Sequence, residues 1–180
     1  TSRKYILLSA HREENIDKEN NFFSLMNAVN GLAQKYNMPV LYSCHPRSRK
    51  YIAQRKFKFD QRVIQHHPLG FFDYNKLQQN AFCLVSDSGT VPEEAAYFKF
   101  PAVSVRTSTE RPEAMDQGIF VIGSITKDQV IQAVDLATSM YENDDTAADV
   151  DCYCDKKNSI KILNIIQSYV GVINRMVWRK

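Results

Sequence analysis

Short apolar runs separated by helix-length stretches recur along this chain, and that alternation constrains the fold more than any other feature. Tyr5-Ile6-Leu7-Leu8-Ser9, Pro39–Cys44, Arg62–Gln65, Ala81–Val85, Ala102–Val105 and Ile119–Ile122 have the length and β-branched or aromatic content of strands. Between the first two lies Asn20–Tyr36, with apolar residues at 22, 25, 26, 29, 32 and 33, a helical spacing. A basic helix is expected after His45-Pro46-Arg47 to about Phe57, and others over Asp73–Asn80, Pro92–Phe98 and Lys127–Tyr141, with a short one opened by Glu110-Arg111-Pro112-Glu113. Parallel strands need crossovers of about a dozen residues, usually helical. The pattern therefore predicts an α/β chain with a Rossmann-like, doubly wound parallel sheet. The tail departs from it: a polar segment, Glu142–Asp151, precedes a helix over about Lys156 to Trp178 that runs through Gly171. Residues 1–155 are thus expected to form the Rossmann-like lobe, and 156–180 a separate apolar helix in need of a partner surface.

Composition narrows the function. The chain has 180 residues, 44% hydrophobic and 24% charged, enough for a sizeable core and too few Gly and Pro for a linker-rich protein. A net charge of +3, with Lys and Arg scattered, does not imply nucleic acid. No apolar run approaches the roughly 20 residues that cross a bilayer, so no membrane partner is expected. The first residues lead directly into a strand, and no signal peptide is expected. Cysteines at 44, 83, 152 and 154 suit a cytoplasmic protein, with Cys44 and Cys83 acting as small hydrophobes. Cys152-Tyr153-Cys154 has no further Cys or His close in sequence, and no metal is expected there.

In a doubly wound sheet, ligands bind beyond the carboxyl ends of the strands. The segments predicted to follow the strands are therefore a functional census. They are His11-Arg12-Glu13, His45-Pro46-Arg47, His66-His67-Pro68-Leu69-Gly70, Asp87-Ser88-Gly89-Thr90 and Arg106–Arg111, which places all four histidines and several arginines on one edge. The stretch Ala81–Phe100 is the centre of it. A strand runs into a Gly-containing turn and then a helix N-terminus, where unpaired N–H groups and the positive dipole end suit an anion. Thr90 and Glu93 have the spacing of a capping box, and Pro92 falls in the first turn. Arginine with a helix N-terminus suits a phosphate, and Glu94, one turn into the helix, suits a ribose hydroxyl pair. A nucleotide is the ligand class this predicts. Neither GxxxxGK[ST] nor GxGxxG is present.

His11-Arg12-Glu13-Glu14-Asn15, Asp87-Ser88-Gly89-Thr90 with Glu93-Glu94-Ala95, and Thr109-Glu110-Arg111-Pro112-Glu113-Ala114 resemble, in order and spacing, the motifs of the non-hydrolysing UDP-N-acetylglucosamine 2-epimerases. The resemblance extends over nearly the whole chain. It implies the C-terminal lobe of a GT-B-type two-domain fold, with an N-terminal lobe outside these residues and a C-terminal crossover helix packing on it. Pro68–Leu77 and Asn174–Trp178 are similar to the branch that makes UDP-N-acetyl-L-fucosamine by epimerising a UDP-N-acetyl-L-talosamine-type sugar. Carried over residue by residue, the resemblance implies that Ser88, Gly89 and Thr90 hold the diphosphate, although the family usually has a second glycine where Thr90 stands. Glu94 would take the ribose hydroxyls. Leu69 would offer backbone groups to the uracil and Tyr74 would stack on it. Arg111 and His11 would face the phosphates and sugar, with His11 the catalytic candidate, and Glu110 would orient Arg111. Arg12 and His45 match positions tied in some relatives to a second, regulatory UDP-sugar site.

The implied reaction inverts C2 of a UDP-N-acetylhexosamine by losing and regaining UDP, for surface polysaccharide precursors such as those of a capsule or O-antigen, with no cofactor and no metal. The carboxylates that move protons would lie on the absent lobe, so these residues alone should bind UDP and catalyse little. Full-length relatives are dimers, which implies a homodimer. Two other readings compete: a GT-B glycosyltransferase C-terminal lobe, and a nucleotide-sugar-binding module without turnover.

Overall fold

A computed structural model of the chain describes residues 2–106, 111–143, 153 and 157–180. The chain divides into two compact units, residues 1–150 and 151–180.

The first unit is built on a six-stranded, all-parallel sheet. Its strands are β1 (Ile6–Ser9), β2 (Val40–Ser43), β3 (Val63–His66), β4 (Cys83–Ser86), β5 (Ala102–Ser104) and β6 (Val121–Ile122). Their order, β3-β2-β1-β4-β5-β6, reverses direction between β1 and β4. The helices are α1 (Glu13–Ile16), α2 (Glu19–Tyr36), α3 (Pro46–Gln54), α4 (Phe71–Asn80), α5 (Val91–Phe98), α6 (Pro112–Asp116) and α7 (Lys127–Glu142). The α/β, Rossmann-like fold read from the alternation is the one observed.

Why these residues make these elements follows from burial. The central strands β1 and β4 are covered on both faces, so they read as unbroken apolar runs rather than as alternating ones. On one face Ile6, Leu8, Val40, Tyr42, Val85 and Val103 meet Phe22, Leu25, Met26 and Val29 of α2 and Val130 and Val134 of α7 in a single buried cluster. Leu7 and Leu84 point to the other face and are equally buried, with Ala95 and Ala96 of α5 buried as well. β3, by contrast, is an edge strand, half-buried at its ends and exposed at Ile64 and Gln65. Cys44 and Cys83 are buried and unpaired, and burial pushes the Cys44 thiol up to about 11, so both act as core hydrophobes.

Chain punctuation agrees with local chemistry. α2 ends where Asn37 takes a left-handed conformation (φ 47°), its side chain accepting from Arg62 at 2.7 Å, and Pro39 follows. The one-turn helix α1 is absent from the sequence reading, because four residues carry no periodicity. Arg55 fixes it from below: its guanidinium donates to the carbonyls of Ile16 and Asp17 (2.7 and 2.6 Å) and lies over the Phe22 ring.

The second unit contains α8 (Asn158–Met176), which runs unbroken through Gly171. Ile162, Ile166, Tyr169, Ile173 and Met176 recur along it at four- and three-residue steps, the signature of an apolar stripe. Among the described residues, no helix is long and apolar enough to cross a membrane.

Gly123 lies where the sheet meets α7. A Cβ there would stand 2.7 Å from Val103 Cγ1 and 3.0 Å from Ala133 Cβ, both in the core. Gly123→Ala should therefore destabilise the fold by roughly 1–3 kcal/mol, the range for overpacking a close-packed interior. Urea denaturation checks it, with a lower midpoint and an unchanged slope expected.

Candidate functional site

Register sets the site. Leu8 pairs with Val85 and Ser9 with Ser86, so β1 and β4 end level with each other. Their continuations, Ala10-His11-Arg12 and Asp87-Ser88-Gly89-Thr90, therefore emerge side by side at the point where the strand order reverses. That crevice is where an open α/β sheet binds its ligand.

Asp87 ties the two continuations together. Its carboxylate is completely buried and accepts from the backbone N–H groups of His11 (2.9 Å) and Arg12 (2.8 Å) and from the Asn15 side chain (3.2 Å). The His11 ring lies over the same group, Nδ1 at 3.4 Å. Asn15, also buried, donates in addition to the Val105 carbonyl at 2.9 Å, which links the loop to β5. Two further donors fix Ala10 beside it: Tyr42 Oη and Ser48 Oγ reach its carbonyl at 3.0 and 2.7 Å. His11 is thus held on a rigid loop, half exposed. Neither Asp87 nor Asn15 was singled out as a site residue in the sequence, although both stand inside the motifs.

The turn after β4 leads into α5. The capping box expected of Thr90 and Glu93 does not form. Thr90 already has helical backbone angles (φ −92°, ψ −4°), so its side chain makes no cap bond. Its hydroxyl donates instead to Glu94 Oε1 at 2.8 Å, and Ser88 Oγ lies 3.1 Å from it. The other Glu94 oxygen accepts from Gln78 Nε2 at 2.6 Å. Gln78 is buried in α4, and nothing in its spacing marked it. Glu93 turns the other way and accepts from Arg111 Nε at 2.6 Å, the charge on Arg111 drawing it off the helix terminus. Arg111 is thus oriented by Glu93. Glu110, expected to orient it, lies outside the described residues, as do Thr107–Thr109 and both cysteines of the Cys152-Tyr153-Cys154 group.

Arg12 leans over the turn. Its Nε donates to the Asp87 carbonyl at 2.8 Å, and its guanidinium would stand 3.4 Å from a Cβ at Gly89. Gly89 leaves the turn bare beneath that guanidinium. Arg12 also lines an open cavity of about 460 Å³ with His11, Glu13, Glu14, His45 and Arg47. The rings of His11 and His45 are 5.3 Å apart there. His45 caps α3, its Nδ1 accepting from the Arg47 N–H at 3.2 Å, and Arg47 pairs with Glu13 at 2.8 Å. Arg12 and His45, read together in the sequence, are brought together.

Leu69 is exposed on the β3–α4 loop, and Tyr74 is half-buried in α4. Burial raises the Tyr74 phenol to about 12 against a hydrogen bond with the Ser9 side chain, the Glu94 and Asp87 charges adding to the rise. The phenol therefore stays neutral at physiological pH and adds no negative charge to an anion site. A larger open groove, about 600 Å³, runs between β6 and α7, but it holds none of these histidines or arginines. Among the described residues, no three His, Cys, Asp or Glu side chains converge as a metal-ligand set.

The family profile described as UDP-N-acetylglucosamine 2-epimerase matches residues 1–167. This chain belongs to that family. A UDP-N-acetylglucosamine 2-epimerase from Methanocaldococcus jannaschii is 29% identical over 143 residues, covering 77% of this chain and 39% of that protein. The solved structure of the epimerase from Rickettsia bellii superposes with a TM-score of 0.86 at 35% identity, over 100% of this chain and 48% of that one. The M. jannaschii enzyme solved with UDP-GlcNAc and UDP gives 0.80 at 25%, over 93% and 46%. The chain thus spans less than half the length of these relatives.

The Asp87 carboxylate should dominate local stability. Asp87→Ala leaves two backbone N–H groups without their acceptor, at about 1–3 kcal/mol each when unsatisfied, while Asn15 keeps its bond to the Val105 carbonyl. A loss of ~3 kcal/mol in urea denaturation is expected, with Asp87→Asn intermediate. Hydrogen exchange at the His11 and Arg12 amides should accelerate in Asp87→Asn.

Proposed function

We propose that the edge shared by β1, β4 and α5 holds the UDP moiety of a UDP-N-acetylhexosamine. In the full-length enzyme it would support C2 epimerisation by elimination and re-addition of UDP. One observation carries this reading: at the strand-order reversal a Gly-containing turn beneath the Arg12 guanidinium opens α5, with Glu94 one helical turn further in and Arg111 beside it. The turn and the arginine suit a diphosphate, and the carboxylate suits a ribose hydroxyl pair.

In the proposed reaction a base removes the C2 proton beside the acetamido group while the anomeric C–O bond breaks. The electron pair of the C–H bond becomes the C1–C2 double bond of a glycal, and UDP leaves with the pair of the C–O bond. UDP then adds back at C1, and C2 takes a proton on the opposite face. Ser88, Gly89 and Thr90 at the α5 N-terminus, with Arg111 and His11, stabilise the charge developing on the departing phosphate. Uracil would lie against the Leu69 backbone and the Tyr74 ring. The M. jannaschii relative solved with UDP-GlcNAc and UDP supports the ligand class.

The finer assignments belong to the same proposal. Residues 156–180 would pack on an N-terminal lobe that carries the proton-transfer carboxylates. The whole enzyme would be a cytoplasmic homodimer serving surface polysaccharide synthesis, with a UDP-N-acetyl-L-fucosamine precursor as its sugar. Arg12 and His45 would line a second UDP-sugar site in the cavity they share.

Calorimetric titration of the chain with UDP tests the placement. Saturable binding is expected, weakened at least about tenfold by Glu94→Ala and by Arg111→Ala, each of which removes a charged hydrogen-bond partner. Binding that neither change weakens would refute this placement. The chain alone should leave UDP-sugars unepimerised, and turnover by it would place the proton-transfer groups on this half.

A further inference from the structure

Four polar side chains are joined in a line across the β4–α5 turn. Ser88 Oγ is 3.1 Å from Thr90 Oγ1, Thr90 donates to Glu94 Oε1 at 2.8 Å, and Gln78 holds Glu94 Oε2 at 2.6 Å. The two holds on Glu94 differ in kind. Gln78 is buried, so it fixes one carboxylate oxygen from inside the protein. Thr90 is exposed and grips the other oxygen at the surface, where a ligand would arrive.

A hydroxyl has one proton to donate. In this structure the Thr90 proton is committed to Glu94, and it cannot go to a phosphate at the same time. Ribose hydroxyls need Glu94 as acceptor, and Thr90 engages one of the two lone pairs of the surface oxygen Oε1. Phosphate recognition and ribose recognition therefore meet in one rotatable bond.

We propose that the Thr90 hydroxyl is a switch coupling the two ends of the nucleotide. Without ligand it donates to Glu94. With a diphosphate over the turn it donates to a phosphate oxygen, and in turning it frees Glu94 Oε1 to accept from a ribose hydroxyl. Gln78 keeps the carboxylate in place while this happens. A glycine at this position would leave the ribose and phosphate subsites independent. The inference rests on the nucleotide placement proposed above and adds the coupling to it.

The test compares uridine with UDP, each titrated by amide chemical shifts into the chain, into Thr90→Val and into Thr90→Ser. Valine keeps the shape and removes the proton, while serine keeps the proton. In Thr90→Val uridine should bind more tightly, because no hydroxyl competes for Glu94 Oε1. UDP should bind more weakly, because a phosphate donor is lost. The ratio of the uridine Kd to the UDP Kd is then expected to fall by about tenfold, a hydrogen bond to a charged group being at stake at each end. Thr90→Ser should stay within about twofold of the unsubstituted chain, since its donor survives. A ratio unchanged in Thr90→Val overturns the coupling, and so does an equal tightening of both ligands, which would make Thr90 a simple competitor. Failure of the placement looks different: UDP would not bind, or Glu94→Ala would leave its affinity unaltered, and both proposals would fall.

Discussion

The carboxylate of Asp87 is the interaction on which the rest of this edge depends. A parallel sheet delivers its strand ends to one edge, but it does not by itself order the loops that leave them. The β1 loop must turn away with its N–H groups facing the protein, and buried N–H groups need acceptors. Asp87, carried on the neighbouring strand, supplies them to His11, Arg12 and Asn15 at once. Every hydrogen-bonding partner is a donor, which suits a group that can only accept and which an apolar residue could not replace. The same carboxylate lies 3.4 Å from the His11 ring, so the loop and its one candidate catalytic side chain are placed by one contact. The Asp87 carbonyl then takes the Arg12 guanidinium, which leaves that charge over the bare turn at Gly89.

Much of the fold was legible because parallel strands announce themselves. Buried on both faces, β1 and β4 show as continuous apolar runs, and α2 repeats its apolar residues at helical spacing along its buried face. Strand ends shifted by a residue or two, as at β3, where Arg62 turned out to precede the strand and His66 to close it. The side chain of Arg62 explains the start: it is bound to Asp60 at 2.8 Å and 2.9 Å and belongs to the turn that enters the strand. α1 was invisible, since one turn of helix is set by Arg55, some forty residues later in the chain, and not by its own pattern.

The site was legible as a list of motifs and illegible as a set of partnerships. Spacing placed His11, Ser88, Gly89, Thr90, Glu94 and Arg111 on one edge, and the structure brings them there. Spacing also suggested that Thr90 and Glu93 cap α5, and this failed for a reason that no local rule contains. Each side chain has a stronger partner. Arg111 takes Glu93 across eighteen residues, and Glu94 takes the Thr90 hydroxyl. Gln78 reaches Glu94 from a different helix, sixteen residues earlier. Partnerships at such separations depend on how α4, α5 and α6 pack, and a linear pattern does not record that.

Those partnerships bear on what these residues contribute to the proposed reaction. A carboxylate acting as general base needs an accessible oxygen and a conjugate acid free to give its proton back. Glu93 is bound to an arginine, Glu94 is gripped on both oxygens, and Asp87 is buried under backbone donors. Each is arranged to hold another group still. What the turn itself presents is different in kind: a helix N-terminus with the Arg111 and Arg12 guanidiniums, suited to accumulating negative charge, while His11 and the exposed Glu13 and Glu14 lie on the neighbouring segment. Charge on a departing nucleoside diphosphate is the demand such a turn can meet. The carboxylates nearest the α5 turn are thus engaged in holding the site's own groups, which leaves its arginines and helix terminus to the leaving group of the proposed reaction.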